Sequence, residues 1–89
     1  MKLTPKQNQV INCLQNGWVL ITDRDSKEIW CGDNEAQFSF GRWLFWNMVE
    51  KGLISQELTL PYNYILTSLG RDIKTKSVYE KVKDKYKNK

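Results

Sequence analysis

The chain has 89 residues, of which 40% are hydrophobic and 12% aromatic, and this is enough for one small domain with a single core. It contains no run of about 18 apolar residues that could cross a membrane, and its first residues lack the apolar stretch of a secretory signal, so we expect a cytoplasmic protein. The absence of histidine argues against a structural zinc site, and the two cysteines, Cys13 and Cys31, are predicted to be reduced and buried.

The net charge of +4 is unevenly distributed along the chain. Up to Gly70 there are six basic and seven acidic residues, whereas from Arg71 onward there are eight basic and three acidic ones. The basicity therefore belongs to the C-terminal region. We predict a nearly neutral core over residues 1–73 and a basic C-terminal helix or tail over residues 74–89.

The first predicted element is a helix that starts at Thr4-Pro5 and ends at Gly17. Threonine is a good N-cap residue, and proline is tolerated at the first helical position because its missing N–H would have no partner there. A β-hairpin is predicted next. Trp18 to Thr22 is apolar and partly β-branched, residues 23–27 are turn-forming, and residues 28–31 would form the returning strand.

Acidic residues cluster in and after this turn, at positions 23, 25, 28, 33 and 35. A site for a hard cation needs several oxygen ligands at fixed spacing. We therefore interpret these residues as solvated turn residues and expect no metal or other cofactor.

Residues 38–52 are predicted to form the central helix, with Ser39 as its cap and Gly52 at its end. Phe45, Met48 and Val49 are spaced so that all three face the core. Six positions are then predicted to face outward: Arg42, Trp43, Trp46, Asn47, Glu50 and Lys51.

A second hairpin and two helical segments complete the predicted order. Residues 54–60 and 64–66 would form strands around a turn at 61–63, and Thr67 would cap a short turn that ends near Gly70. The spacing Ser77-x-x-Glu80 is typical of a capping box at a helix start. The last helix carries a narrow apolar stripe, formed by Tyr79, Val82 and Tyr86. We expect this stripe to pack on the core or on a second subunit.

Two stretches resemble a winged-helix domain. The run MVEKGLI (residues 48–54) is similar to the end of a recognition helix in that family, and YILTSLGR (residues 64–71) is similar to the second strand of its wing. LTP at residues 3–5 also fits the family's first helix. The resemblance implies an α+β winged-helix-like fold in the order helix, hairpin, helix, hairpin (the wing) and C-terminal helix. The chain departs from the family in placing a hairpin where a second helix is usual.

A small bacterial family of YjhX-type toxins shares other features with this chain. The spacing L-x-x-G at residues 14–17, the hairpin before the central helix, and PY at 61–62 ahead of Thr67 and Gly70 are similar to that family.

The winged-helix resemblance implies DNA binding without catalysis, as in a transcriptional regulator of a bacterial or mobile element. Side chains of the central helix and the wing tip would meet the duplex, and C-terminal lysines would contact phosphates. The candidates are Arg42, Asn47, Lys51, Tyr62, Asn63, Lys74, Lys76, Lys81, Lys83 and Lys85. C-terminal helices of winged-helix proteins often dimerise, so a homodimer through Tyr79, Val82 and Tyr86 is also implied.

A second hypothesis is a protein-interaction module of a mobile element, or a small bacterial inhibitor, that uses the winged fold as a scaffold. Trp43 and Trp46 lie three residues apart, and tryptophan is enriched at binding hot spots. Alternatively, Trp18, Trp30 and the first hairpin cover this pair, which would then belong to an extended core. An enzyme is not expected, since the chain has no histidine base, nucleophile elbow or glycine-rich phosphate loop.

Overall fold

The computed structural model describes residues 2–22, 28–58 and 63–87. In chain order its elements are α1 (Pro5–Gln15), β1 (Val19–Thr22), β2 (Glu28–Gly32), β3 (Gln37–Gly41), α2 (Arg42–Glu50), β4 (Ile54–Gln56), β5 (Asn63–Leu66), α3 (Ser68–Asp72) and α4 (Tyr79–Tyr86). The strands form one antiparallel sheet in the order β3-β2-β1-β5-β4. The chain is therefore a small α+β domain, as the sequence predicts.

Helix α1 begins and ends where its sequence signals place it. The Oγ1 atom of Thr4 accepts from the Gln7 backbone N–H at 3.2 Å, and the Gln7 side chain accepts from the Thr4 N–H at 3.1 Å. This reciprocal pair is a capping box, which satisfies two backbone donors at the helix start. Gly17 follows the helix with φ of 103°, a left-handed conformation that glycine adopts without steric cost.

The first predicted hairpin is confirmed, since β1 pairs with β2 in the register Leu20 opposite Cys31 and Ile21 opposite Trp30. Side chains alternate between the two faces of a sheet, so Leu20 and Cys31 point toward the helices while Ile21 and Trp30 point away. The predicted turn at residues 23–27, including the acidic positions 23 and 25, lies outside the described residues.

The predicted start of the central helix is wrong. Residues Gln37–Gly41 form strand β3, which pairs with β2, and helix α2 begins only at Arg42 with Gly41 as its N-cap in place of Ser39. The physical reason is the alternation of polar and aromatic residues in QFSFG. It places Phe38 and Phe40 together on the buried face of the sheet.

From Arg42 onward, helix α2 follows the predicted pattern. Phe45 and Met48 are buried, Val49 is half-buried against them, and Gly52 ends the helical segment with φ of 74°. The second hairpin follows, because β4 pairs with β5 in the register Ser55 opposite Ile65. Its predicted turn lies at residues 61–63, of which 61 and 62 are outside the described residues.

Thr67 joins the end of α2 to helix α3. Its backbone N–H donates to the Leu53 carbonyl at 3.0 Å, its hydroxyl donates to the Gly52 carbonyl, and the same oxygen accepts from the Gly70 N–H at 3.1 Å. The predicted cap of a short turn is therefore confirmed. A Cβ atom on Gly70 would lie 2.1 Å from the Leu53 carbonyl oxygen, so this close approach requires glycine.

The predicted capping box at Ser77 is wrong. Helix α4 begins at Tyr79, its N-cap residue is Val78, and no side chain of its own segment caps it. The backbone N–H groups of Val78 and Tyr79 donate instead to Oδ1 of Asn12 on α1, each at 3.0 Å. A residue distant in sequence thus supplies the cap that the local pattern assigned to Ser77.

One face of the sheet carries the core and the other is open. Helices α1, α2 and α4 contribute Ile11, Met48 and Val82 to the buried cluster. On the opposite face four apolar side chains are 39–45% exposed: Val19, Ile21, Trp30 and Ile65. Within the described ranges, no helix has both the length and the apolar character needed to cross a membrane.

Candidate functional site

Three amide side chains on α1, which we call the amide row, hold the residues that follow α3. Asn8, Asn12 and Gln15 are spaced at i, i+4 and i+7, so they project from one side of the helix. Asn8 bonds residue Lys76 twice, donating to its carbonyl at 3.1 Å and accepting from its N–H at 2.7 Å. These two bonds fix the backbone of Lys76 against the first turns of α1.

Asn12 and Gln15 extend the same contact. Asn12 is 7% exposed; besides capping α4, its Nδ2 donates to the Thr75 hydroxyl at 3.0 Å. Gln15 donates to the carbonyls of Gly70 and Ile73 at 3.0 and 2.9 Å and accepts from the Thr75 hydroxyl at 2.7 Å. The amide row therefore binds both sides of the predicted boundary between residues 73 and 74.

Residues 73–78, which we call the connecting segment, lack regular secondary structure and present their lysines to solvent. Lys74 and Lys76 are exposed, while Ile73, Thr75 and Val78 are half-buried. The two lysines share a groove of about 600 Å³ with Lys2, Pro5 and other residues of the first turns of α1. We call this the lysine groove; it is lined by Lys2, Leu3, Pro5, Asn8, Lys74, Thr75, Lys76 and Val78.

The amide row also joins the two parts of the chain that carry positive charge. Residues 1–22 contain two lysines and no carboxylate, and residues 71–89 contain eight basic and three acidic residues. Together they hold +7 of a chain whose net charge is +4, which leaves −3 for residues 23–70. Because α1 and the connecting segment are in contact, Lys74 and Lys76 lie beside α1 rather than on a separate tail.

The predicted apolar stripe of α4 packs on the chain's own core. Val82 is buried, the Tyr79 ring contacts Trp18 edge-on with centroids 5.6 Å apart, and the Tyr86 ring lies 5.4 Å from Phe38. A homodimer through this stripe would have to displace these contacts.

The lysines of α4 have separate environments. Lys81 and Lys85 are exposed, and the Lys85 ammonium lies 5.3 Å from the Tyr86 ring centroid. Lys83 is half-buried, with its Nζ 4.0 Å from a Glu35 carboxylate oxygen. The predicted DNA-binding lysines are therefore not equivalent.

On α2, the two tryptophans of the outward face are exposed. Trp43 is 85% and Trp46 53% exposed, so Trp18, Trp30 and the first hairpin do not cover them. Among the aromatic ring pairs of the described residues, the Trp46 ring pairs only with Phe45, at nearly a right angle and with centroids 5.2 Å apart. The interpretation of this pair as part of an extended core is wrong.

The predicted DNA contacts of α2 and the wing lie in different environments. The amide of Asn47 donates to the Trp43 carbonyl of its own helix at 3.2 Å, and Lys51 donates to the Gln7 side chain at 3.1 Å. Arg42 is exposed at the start of α2, and Asn63 pairs with Ile21 in the sheet. Tyr62, the other predicted wing-tip contact, lies outside the described residues. Lys51 thus lies at the first turn of α1, which also borders the lysine groove.

The two thiols lie in the core and are not part of the candidate site. Cys13 and Cys31 are both free and buried, which confirms the sequence prediction. Burial raises the pKa of Cys13 to about 12; burial, with a smaller contribution from Cys13, also raises the pKa of Cys31. In the described ranges no group of three or more His, Cys, Asp or Glu residues could hold a metal ion.

Sequence reasoning missed Lys2 and the amide row. One usable signal was present: Asn8, Asn12 and Gln15 are polar residues at helical spacing in a helix without a carboxylate. That pattern identifies a polar face but gives no indication of the segment bound to it.

No protein-family model, curated protein or solved structure matches this chain significantly.

Proposed function

We propose that this protein is a small cytoplasmic, winged-helix-like DNA-binding protein that acts without catalysis. The observation that carries the proposal is the joining of the acid-free α1 to the connecting segment, which brings Lys2, Lys74 and Lys76 to one groove with no carboxylate among its lining residues. A duplex is a dense array of negative charge, and lysines that contact its phosphates release condensed counterions. Such a surface favours a polyanion as its partner.

The hairpin that follows α2 supports the winged-helix part of the proposal. A helix ended by Gly52 leads directly into the paired strands β4 and β5, as the resemblance requires of a recognition helix and its wing. The outward face of α2 is less suited to base recognition, because much of it is formed by the exposed rings of Trp43 and Trp46 rather than by donors that match base edges. We therefore propose binding that depends on the phosphate backbone more than on sequence.

Fluorescence anisotropy with a labelled random-sequence duplex tests the proposed function. We expect binding at about 50 mM salt that weakens strongly by about 200 mM, because each phosphate contact contributes roughly −0.9 to the slope of log K against log salt. Absence of binding at the lower salt concentration, or affinity that is independent of salt, would contradict the proposal.

The exposed tryptophans favour a second candidate function, the binding of a partner protein through α2. Trp43 and Trp46 present two large aromatic surfaces to solvent on a helix whose opposite face is anchored by Met48. Flanking Arg42 and Glu50 carry opposite charges, so the surface suits an apolar cleft with a polar rim rather than a polyanion.

A double variant, Trp43→Ala with Trp46→Ala, separates the two functions. We expect it to remain folded and to keep its affinity for DNA while losing a partner protein recovered with the wild type. If the double variant loses DNA affinity while its thermal unfolding is unchanged, the tryptophans belong to the DNA contact and the second candidate is rejected.

A further inference from the structure

We propose that the lysine groove is the phosphodiester-binding site of this protein, with Lys2, Lys74 and Lys76 paired to backbone phosphates. The inference rests on the proposed DNA binding and assigns it to a specific place on the molecule. It moves the main contact away from the outward face of α2 and adds Lys2, which comes from the opposite end of the chain. It also makes Asn8 a positioning residue.

The three lysines converge without a competing carboxylate. Lys2 precedes α1 while Lys74 and Lys76 belong to the connecting segment, yet all three line one groove. Within the described ranges, no carboxylate oxygen lies within 4.0 Å of any of their ammonium groups, in contrast to Lys83 beside Glu35. A phosphate entering the groove would therefore not have to displace an existing ion pair.

Neutral donors are present beside these charges. Asn8 and the Thr75 hydroxyl also line the groove, but both are engaged in holding the connecting segment. At the start of α1 the Gln7 N–H already donates to the Thr4 hydroxyl, so this donor is not available to an anion. The ammonium groups of the lysines are therefore the donors through which the groove would bind an anion.

The backbone of the cationic segment is already ordered. Asn8 donates one hydrogen bond to the Lys76 carbonyl and accepts one from the Lys76 N–H, and the Thr75 hydroxyl bonds both Asn12 and Gln15. Binding by a lysine on a disordered tail must order its backbone as well as its side chain, and each residue fixed in this way costs conformational entropy. The lysine groove avoids the backbone part of this cost.

Helix α4 is ordered as well, so its lysines differ from the groove lysines in position: Lys2, Lys74 and Lys76 line one groove, whereas Lys81 and Lys85 do not. Because three cations can act on the same run of phosphates there, the groove lysines should contribute more than those exposed on α4.

A pair of double variants with equal charge changes tests this difference. Lys74→Gln with Lys76→Gln alters the lysine groove, and Lys81→Gln with Lys85→Gln removes the same charge from α4. In the anisotropy titration we expect the groove variant to bind the duplex at least about tenfold more weakly, with a salt slope smaller by about 2. We expect the α4 variant to lose less than about threefold in affinity.

The outcomes separate the site from the function. If both double variants lose affinity equally, binding follows net charge alone and the lysine groove is rejected while DNA binding stands. If the α4 variant loses more, the site is on α4 and the inference is again wrong. If the wild type does not bind, the proposed function fails and the inference fails with it.

Asn8→Ala tests the positioning role without changing net charge. We expect severalfold weaker binding with the salt slope nearly unchanged, because the lysines remain but their backbone is released. Asn16→Ala is the matched control, since its side-chain amide donates to the Asn12 carbonyl at the end of the same helix and does not line the groove, and we expect it to bind as the wild type does. Thermal unfolding of both variants shows that each is folded. Unchanged affinity of Asn8→Ala would reject the positioning role.

Discussion

The carboxamide of Asn12 is shared by two elements of the structure. Its oxygen caps α4 by accepting from Val78 and Tyr79, and its nitrogen donates to Thr75 in the connecting segment. Because Asn12 is almost fully buried, its removal would leave the N–H groups of Val78 and Tyr79 without this acceptor in a site that water reaches poorly, while Thr75 would keep its bond to Gln15. One polar side chain thereby couples the start of the chain to its end.

We expect Asn12→Ala to lower the free energy of unfolding by about 2–3 kcal/mol, since three hydrogen bonds are lost and buried donors are left unpaired. Chemical denaturation measures this change. Asn47→Ala removes one side-chain hydrogen bond within α2 and should lower the free energy of unfolding by less than about 0.5 kcal/mol. Equal costs for the two variants would show that the contacts of Asn12 across the molecule are not stabilising.

The two faces of α2 predict opposite responses to truncation. Met48 is fully buried, so Met48→Ala should cost about 2–5 kcal/mol through lost burial and the cavity that remains. Trp43 is 85% exposed, and we expect Trp43→Ala to change stability by no more than about 0.5 kcal/mol. Urea denaturation, monitored by circular dichroism, compares the stability of the two variants. A large loss of stability for Trp43→Ala would mean that the exposed face of α2 has been assigned wrongly.

The thiols provide a probe of the core. The thiolate is the reactive form, and burial raises the pKa of Cys13 to about 12, against about 8.5 for a free cysteine. We expect Ellman's reagent at pH 8 to label the native protein only slowly and to label both Cys13 and Cys31 rapidly in guanidinium chloride. Raising the pH to about 9 should not make native labelling fast, because both thiols stay protonated in the fold. Fast labelling of native protein would contradict their burial.

At the scale of elements, local sequence signals identified the elements that depend on local chemistry. The Thr4 cap of α1, the glycine at the end of α2 and the Thr67 cap of α3 all lie within a few residues of the element they define. Strand β3 was misassigned because residues 38–40 are compatible with an apolar helix and with a half-buried strand. What decides between these is the pairing of Phe38 and Phe40 with β2, a contact that the local pattern does not contain.

The candidate site was predicted less completely than the fold. The charge distribution predicts a basic C-terminal region, and it includes Lys74 and Lys76 among the candidate DNA contacts. Lys2 and the amide row could not be assigned from the sequence, because their role depends on the connecting segment returning to α1. Side-chain hydrogen bonds between distant residues leave no periodic trace in the sequence.

The contact between α3 and the end of α2 gives a test with two glycines. A Cβ atom on Gly70 would lie 2.1 Å from the Leu53 carbonyl oxygen, whereas one on Gly41 would meet nothing within 4 Å. We expect Gly70→Ala to destabilise the protein by at least about 2 kcal/mol and Gly41→Ala to be nearly neutral. Thermal unfolding measures the stability of the two variants. A Gly70→Ala variant as stable as the wild type would contradict the close packing of α3 on Leu53.

At the scale of the whole molecule, the fold brings the two basic segments of the chain into contact. The amide row joins α1 to the connecting segment, so Lys2 lines the same groove as Lys74 and Lys76. Electrostatic attraction of a polyanion depends on this grouping of lysines and is screened over about 8 Å at physiological salt. The proposed function therefore depends on the C-terminal region being part of the folded body.

Backbone NMR relaxation at Lys74 and Lys76 tests that dependence most directly. If the amide row holds the connecting segment as described, the order parameters of both amides should be close to 0.85, the value of a rigid backbone. Values below about 0.6 at both positions would show a flexible tail and would contradict the account.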